Sequence, residues 1–141
     1  MMKVCGVDLK GNDAIICLMS LQDNLFELPE CRVRKLSIYD ATSAEQLKKF
    51  QFDFTKLMDD YQINNIVIRE RFTKGKFAGG SVGFKLEAAI QLIDNLNVEL
   101  VSSAKIKEIG KRVRFPENFK ETGLKQFQEQ AFITAYAYLN R

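Results

Sequence analysis

Two apolar runs begin the chain, and a short polar turn separates them. Residues 3–9 read KVCGVDL and residues 14–19 read AIICLM, with the cluster KGND between them. A glycine- and asparagine-containing turn between two such runs is typical of a β-hairpin. Residues 31–38, CRVRKLSI, place arginines at alternating positions, so they predict a third, edge-like strand.

A predicted helix follows the third predicted strand. The segment TSAE at 42–45 predicts a capping box, in which the Thr42 hydroxyl and the Glu45 carboxylate satisfy free amides at a helix start. Apolar residues then recur with a helical period as far as about Tyr61. Residues 63–70, INNIVIRE, have the apolar centre of a buried strand.

The second half of the chain continues the alternation of helices and strands. A glycine-rich loop at 74–81, KGKFAGGS, precedes a predicted helix that carries apolar residues from Phe84 to Ile93. Residues 98–101 predict a short strand, and Ser103 is expected to cap a brief helix that Gly110 ends. The last predicted helix covers residues 122–139, with an apolar stripe that includes Leu124 and Phe127.

These elements predict an α/β mixed sheet with helices on both faces. The strands at 3–9 and 63–70 are expected to be parallel neighbours joined by a right-handed crossover. A length of 141 residues is usual for one domain, so we predict a single domain over residues 1–141. Functional sites in open α/β sheets form beyond the carboxyl ends of strands. The sites to examine are therefore Asp8 and Glu70, which lie near the ends of their strands.

Composition narrows the chemistry, because the chain contains no histidine. This excludes Ser-His-Asp and Cys-His catalysis in their usual form, and histidine-ligated zinc or iron. The cysteines Cys5, Cys17 and Cys31 form no C-x-x-C pair, so reduced thiols and a cytoplasmic location are expected, with Cys5 and Cys17 facing each other on paired strands. No apolar run approaches the roughly 20 residues that span a bilayer, and the N-terminus does not have the pattern of a signal peptide, so no membrane partner is expected.

Positive charge is concentrated at one end of the sequence. Residues 1–100 hold 13 Lys and Arg against 14 Asp and Glu, whereas residues 101–141 hold 8 against 4. The net charge of +3 therefore comes from the last 41 residues. Such asymmetry is compatible with a surface that faces nucleic acid, and also with an ordinary solvated surface.

Two carboxylates stand out at the predicted strand ends. Asp8 follows a buried strand pattern, where an aspartate is costly unless it is paired or bound to a metal; the alternative is that it begins the hairpin turn. Glu70 lies between Arg69 and Arg71, and strand alternation places both arginines on the opposite face from Glu70. A simple strand-end glutamate is the alternative there.

The strand that carries Asp8, the hairpin, the strand that ends at Glu70 and a terminal helix with a carboxylate together resemble the ribonuclease H-like fold. Within that fold they resemble the RuvC family of Holliday-junction resolvases, whose next elements correspond to residues 80–90 and 98–110. The two acidic positions of that family's terminal helix fall on Gln126 and Glu129. More specifically, the strings VCGVDLKGNDAIICL, GKFAGGSVGFKLEAAIQLI and FKETGLKQFQEQAFITAYAYL resemble a bacterial domain-of-unknown-function family, family 3010.

The resemblance implies a five-stranded mixed sheet of order 3-2-1-4-5 with strand 2 antiparallel. It also implies a metal-dependent nuclease that hydrolyses phosphodiester bonds in structured DNA or RNA, with Mg²⁺ or Mn²⁺ bound by Asp8, Glu70 and Glu129. Gln126 replaces one acidic residue of the family, and arginines flank Glu70. The alternative is therefore a catalytically degenerate binding or assembly module without nuclease activity, for which a homodimer is one form.

The same resemblance implies which basic side chains hold phosphates. They are Arg69, Arg71, Lys74, Lys76, Lys85, Lys105, Lys107, Lys111, Arg112 and Arg114. Lys10 and Gln126 are expected to line the site. The glycine-rich loop at 74–81 is either a phosphate cradle or a flexible connection, and it contains no Walker motif.

Overall fold

The computed structural model describes residues 2–75 and 79–141 of the chain. Across these residues, the strands are β1 (Met2–Lys10), β2 (Asp13–Gln22), β3 (Leu25–Glu27), β4 (Lys35–Ser37), β5 (Asn65–Arg69) and β6 (Asn97–Val101). The helices are α1 (Ala44–Asp60), α2 (Ser81–Gln91), α3 (Ser103–Arg112) and α4 (Glu129–Leu139). The strands form one sheet in the order β3-β2-β1-β5-β6, and β4 also pairs with β2. No helix in this described part is long and apolar enough to cross a membrane.

The mixed sheet confirms the predicted topology. β1 and β2 form a long antiparallel hairpin, while β5 is parallel to β1 and β6 is parallel to β5. The predicted strand at 31–38 is shorter than expected, because only Lys35–Ser37 pairs with the start of β2 and Leu25–Glu27 pairs with its end. The ten residues of β2 exceed the span of either three-residue strand, so two short strands share its outer edge.

Each face of the sheet has its own apolar core, which confirms the expectation of helices on both sides. Val7, Leu9 and Ile68 belong to the core that α1 and α2 cover, here called the α1–α2 face. Val4 and Val67 belong to the core that α3 and α4 cover, here called the α3–α4 face. Alternation along β1 and β5 therefore decides which helices each side chain meets.

Two predicted helix starts are displaced by one residue. Ser43, rather than Thr42, caps α1, because the Ser43 hydroxyl accepts a hydrogen bond from the Gln46 amide while Thr42 donates to the Asp40 carboxylate. Ser102 caps α3 in the same way through the Lys105 amide. The expectation that Gly110 ends α3 is wrong: the helix continues to Arg112, since Gly110 does not adopt a positive φ.

The predicted helix at 122–139 is wrong in its first part. Gly123 adopts a φ of 81°, a left-handed conformation that interrupts a right-handed helix. Two 3₁₀ turns, Phe119–Thr122 and Gln126–Gln128, occupy this part, and α4 begins only at Glu129. Leu124 and Phe127 therefore precede the helix instead of extending its stripe.

Candidate functional site

Asp8 is the only charged side chain among the described residues that is buried, with 4% of its surface exposed. Its neighbours Val7 and Leu9 both lie in the core of the α1–α2 face. Alternation therefore directs Asp8 to the α3–α4 face, near the carboxyl end of β1. The sequence pattern that singled out Asp8 as a costly buried carboxylate corresponds to its position in the structure.

Cationic side chains from β1, from β5 and from the segment just after β5 surround Asp8. Arg71 Nη1 lies 3.6 Å from Asp8 Oδ1. Arg69 belongs to β5, where the pairing of Val7 with Ile68 brings it beside Asp8, and its Nη2 donates a hydrogen bond of 3.3 Å to Ser103 Oγ. With Lys10, these side chains place three positive charges around one negative charge.

Opposing effects act on the Asp8 carboxylate. Burial raises the pKa of Asp8, and the charges of Arg71, Arg69 and Lys10 oppose that rise without cancelling it. Asp8 Oδ1 is closed to solvent and has no hydrogen-bond partner among the described residues. The contact with Arg71 is longer than a normal hydrogen bond, so charge rather than hydrogen bonding compensates this oxygen. Burial also lowers the pKa of Arg69, which Asp8 counteracts.

Glu70 lies beyond β5 and is exposed, while its amide donates a hydrogen bond of 2.8 Å to the Val101 carbonyl. Continued alternation from Ile68 assigns its side chain to the α1–α2 face, opposite Asp8. On that face, Glu87 of α2 lies within range of its charge. Burial, and then the charge of Glu70, raise the pKa of Glu87.

Glu87 was not predicted from the sequence. Its Oε1 is buried and has no hydrogen-bond partner among the described residues. In the sequence Glu87 lies one helical turn after Gly83, and in the structure a Cβ added at Gly83 would contact Leu9 of β1 at 3.8 Å. The pattern alone did not identify Gly83 as the contact with β1, so Glu87 was indistinguishable from a solvent-facing helix acid.

Glu129 is the first residue of α4, and Gln126 lies in the 3₁₀ turn before it. Gln126 Nε2 donates to Glu129 Oε2 at 3.5 Å, so the two side chains are neighbours as expected, although they do not share one helix. The buried residue between them, Gln128, was not predicted. Its Nε2 donates to the Ile16 carbonyl at 3.0 Å and its Oε1 accepts from the Lys125 amide at 2.9 Å, which fastens this turn to β2.

The predicted acidic side chains have different surroundings. Asp8 lies among cations, Glu70 lies in the electrostatic range of Glu87, and Glu129 lies beside Gln126. Across residues 2–75 and 79–141, no group of three or more His, Cys, Asp or Glu side chains is arranged to hold a metal ion. Carboxylate oxygens suit Mg²⁺ or Mn²⁺, and of the three predicted ligands Asp8 has a buried oxygen without a hydrogen-bond donor, but the three cations around it disfavour such an ion.

The predicted phosphate-binding residues are distributed over several surfaces. Lys10 and Lys74 are exposed, and Lys85 Nζ donates to the Ala41 carbonyl. On α3, Lys105 pairs with Glu108, while Lys107, Lys111 and Arg112 are exposed at its surface. Lys76 lies outside the described residues.

Arg114 lies at the other end of the sheet from Asp8. It forms an ion pair with Glu117, and its carbonyl accepts a hydrogen bond from the Tyr136 hydroxyl. The Tyr136 ring contacts Phe26 of β3, which pairs with the end of β2 opposite the start of β1. The structure therefore separates Arg114 from Arg69 and Arg71.

Comparisons with known proteins agree with this architecture. A family model described as "Protein of unknown function (DUF3010)" matches residues 2–138. Among curated proteins, none matches the sequence.

Among the solved structures that share the fold are two of RuvC and one of a mitochondrial resolvase. Thermus thermophilus RuvC is 11% identical, with a TM-score of 0.74, over 99% of this chain and 94% of that chain. Its complex with a Holliday junction substrate is 12% identical, with a TM-score of 0.70 and the same coverage. The yeast mitochondrial Holliday junction resolvase is 8% identical, with a TM-score of 0.60, over 99% of this chain and 76% of that chain. At such identities the likeness shows the fold alone, which is a RuvC-like ribonuclease H fold.

Proposed function

Because the chain belongs to the DUF3010 family of proteins of unknown function, we propose its function from the site: it binds structured nucleic acid at the carboxyl edge of its central strands. The observation that carries the proposal is the group of Lys10, Arg69 and Arg71 around the single carboxylate of Asp8. On the α3–α4 face of this edge three positive charges surround one negative charge, because Glu70 at the end of β5 is assigned to the other face. A phosphate group is a natural counter-ion for the excess.

Arginines suit this role because a guanidinium binds phosphate oxygens through two parallel N–H donors. Arg71 keeps 31% of its side chain exposed while one end contacts Asp8, so it is accessible to a ligand. Structured rather than single-stranded nucleic acid is supported by the fold, since a similar RuvC structure contains a Holliday junction substrate.

Equilibrium binding of a fluorescent four-way DNA junction, a DNA duplex and an RNA duplex tests the proposal. We expect the wild-type chain to bind at least one of them, and Arg69→Gln and Arg71→Gln each to weaken binding. The matched control is Arg114→Gln, which removes the same charge at the other end of the sheet and is expected to bind like the wild type. No binding, or equal loss in all three variants, would refute the proposed site.

Metal-dependent cleavage of the bound strand is the second candidate function. The buried Asp8 oxygen that has no hydrogen-bond partner favours it. Asp8 would hold the ion, whereas Glu70 is assigned to the opposite face of the sheet and Glu129 lies beside Gln126, so the structure does not bring these two predicted ligands together with Asp8. A bound divalent ion supplies an activated water and stabilises the leaving oxygen of a phosphodiester. In this scheme Asp8 would bind and orient the ion, while Arg69 and Arg71 would hold the phosphate.

Cleavage assays with Mg²⁺ and with Mn²⁺ separate the two candidates. If the chain is a nuclease, Asp8→Asn removes cleavage but not binding. If it is a binding or assembly module, the wild type binds without cleaving, and the variant still binds. Cleavage that is equal in wild type and variant would exclude Asp8 as a catalytic residue.

A further inference from the structure

We infer that Phe127 and Lys35 form a subsite for an unpaired nucleotide: the Phe127 ring stacks on the base, and the Lys35 ammonium binds a phosphate next to it. This subsite rests on the proposed function, because it extends the nucleic-acid surface around Asp8. It adds a substrate class to that function, namely nucleic acid in which at least one base is unpaired.

Strand register places Lys35 on the same face of the sheet as Asp8 and at the same level. Asp8 of β1 pairs with Ile15 of β2, and Ile15 pairs with Lys35 of β4. Ile15 belongs to the core of the α3–α4 face, whereas Leu36, the neighbour of Lys35, packs against the core of the opposite face. Because directly paired residues share a face, Lys35 continues the row of side chains that contains Asp8.

Lys35 meets an exposed aromatic ring on this face. Its Nζ lies 5.5 Å from the centroid of the Phe127 ring, a distance at which a cation is attracted to an aromatic ring. Phe127 keeps 43% of its surface exposed, and the side chain of Lys35 keeps 48%. Both groups are therefore accessible to a ligand that carries a flat ring and a negative charge.

The position of Phe127 is fixed although its ring is exposed. Phe127 is the middle residue of the 3₁₀ turn Gln126–Gln128. Gln128 is buried and holds this turn against β2, because its Nε2 donates to the Ile16 carbonyl and its Oε1 accepts from the Lys125 amide. A ring on an anchored turn is already oriented, so less conformational freedom is lost when a base stacks on it.

The charges beside the ring allow a phosphate to bind. Lys35 Nζ lies 3.5 Å from Asp13 Oδ2, and the other oxygen of Asp13 accepts a hydrogen bond from the Ser37 hydroxyl. An exposed ion pair of this kind is weak, and a lysine ammonium has three donors, so Lys35 can bind a phosphate oxygen and keep Asp13. The nearby carboxylate of Glu129 accepts from Gln126 Nε2 at 3.5 Å.

One strand of nucleic acid can reach both this subsite and the arginines beside Asp8. Strands β4 and β5 are separated by β2 and β1, so the backbones of Lys35 and Arg69 are three strand spacings, or about 14 Å, apart. That span equals about four nucleotides of a duplex strand at about 3.4 Å each. Neighbouring bases cover both faces of a base inside a duplex, so only an unpaired base can stack on Phe127.

Equilibrium binding of two duplexes, one with an unpaired bulge and one without, tests the subsite in DNA and in RNA. We expect the wild type to bind the bulged duplex about tenfold more tightly, as for one stacked base, and Phe127→Leu to lose this preference. Phe127→Tyr keeps a ring and should keep the preference. The matched control is Phe52→Leu, which removes an exposed ring of α1 on the opposite face and should behave like the wild type.

The phosphate contact has its own pair of variants. Lys35→Gln should weaken binding of the bulged duplex, whereas Lys49→Gln, which removes an exposed lysine of α1, should not. Equal affinities in the wild type and Lys35→Gln would overturn the assignment of a phosphate to Lys35.

Photochemical crosslinking reads the contact directly. A 5-iodouracil placed in the bulge should crosslink to Phe127, which mass spectrometry of the peptide identifies. This measurement uses the wild type, so it decides the question even if Phe127→Leu does not fold. A crosslink only to other residues would overturn the subsite.

The failure of the subsite differs from the failure of the proposed function. If the wild type binds neither the duplexes nor a four-way junction, the proposed function is wrong and the subsite is wrong with it. If the wild type binds nucleic acid without preferring the bulge, or if Phe127→Leu keeps the preference, the subsite alone is overturned.

Discussion

At the residue scale, the notable feature is a carboxylate in an environment that disfavours its charge. Asp8 is buried, one of its oxygens lacks a hydrogen bond, and the neighbouring cations compensate burial only in part. Functional sites often retain groups that destabilise the fold, because the side chain that binds a ligand at a position is not the one that would stabilise the fold most there. The cost can be measured as a dependence of stability on pH.

We expect Asp8→Asn to stabilise the fold near pH 7. The pKa of Asp8 is raised in the folded state, so the stability that its protonated form provides is complete below the unfolded pKa and is lost as pH rises through the folded pKa. The gain from Asp8→Asn should therefore disappear at about pH 3, below the ordinary pKa of aspartate.

Urea unfolding at both pH values measures this difference. The control is Asp53→Asn, which removes an exposed partner of Lys49 and should change stability by no more than about 0.5 kcal/mol. A less stable Asp8→Asn at neutral pH would mean that the ion pair with Arg71 outweighs the burial of the charge.

A second prediction at this scale concerns Glu87. Burial and the charge of Glu70 both raise the pKa of Glu87. Glu70→Gln should lower the pKa of Glu87, leaving the part that is due to burial. Carboxyl ¹³C titration by nuclear magnetic resonance reads this directly. Glu117→Gln, on the surface beside Arg114, should leave Glu87 unchanged, and an unchanged Glu87 in Glu70→Gln would show that the two side chains are not coupled.

At the element scale, α4 approaches β1 closely because β1 has a glycine at the contact. A Cβ on Gly6 would lie 2.3 Å from the Ala131 carbonyl oxygen and 2.9 Å from Ala135 Cβ. Small residues on both elements allow the helix to lie on the strand that carries Asp8. This packing also positions the start of α4, and with it Glu129, relative to the sheet.

Gly6→Ala should destabilise the fold by about 3 kcal/mol, at the upper end of the usual cost of overpacking, because the clash is with backbone. Gly110→Ala is the matched control. Its added Cβ meets Phe115 at an ordinary 3.8 Å, and alanine is a better helix former, so a gain of up to about 1 kcal/mol is expected. Urea unfolding of both variants checks the pair; a tolerated Gly6→Ala would show that α4 can shift on β1.

The register between β1 and β2 was not determined by the sequence pattern. The pattern identified β1 and β2 but placed Cys5 opposite Cys17. In the structure Cys5 pairs with Leu18 and Gly6 with Cys17, so the two thiols lie on different faces of the sheet. A shift of one residue reverses the face of every side chain, and the turn sequence alone does not fix it.

At the scale of the whole molecule, the part of the sequence that is richest in positive charge is not the part that supplies the cations around Asp8. The excess of Lys and Arg lies in residues 101–141. Arg114 and Lys105 in that segment have acidic partners, whereas the cations around Asp8 come from the first 100 residues. The basic C-terminal third is therefore a weaker guide to the nucleic-acid surface than the sequence indicated.

The salt dependence of nucleic-acid binding distinguishes the surface around Asp8 from the surface around Arg114. We expect the logarithm of the binding constant to fall linearly with the logarithm of salt concentration. Arg69→Gln and Arg71→Gln should each reduce the slope by about one, as expected for the loss of one phosphate contact. Arg114→Gln should leave the slope unchanged. A reduced slope in Arg114→Gln alone would move the proposed surface to the far end of the sheet.

The sequence by itself determined the class of the fold and identified Asp8 as the buried carboxylate of the candidate site. Alternation and helical spacing are local properties, so they located the hairpin, the buried strand before Glu70 and the first three helices to within a few residues, whereas α4 begins well after its predicted start at residue 122. Asp8 was identifiable because a charge in an apolar strand is costly wherever that strand packs.

Only the tertiary structure decided what surrounds Asp8. Arg69 and Arg71 lie about 60 residues along the chain from Asp8, and parallel pairing of β1 with β5 brings them together. The same pairing assigned Glu70 to the opposite face, beside Glu87. Such encounters depend on register and on helix placement, which are fixed by packing between distant segments and leave no local pattern in the sequence.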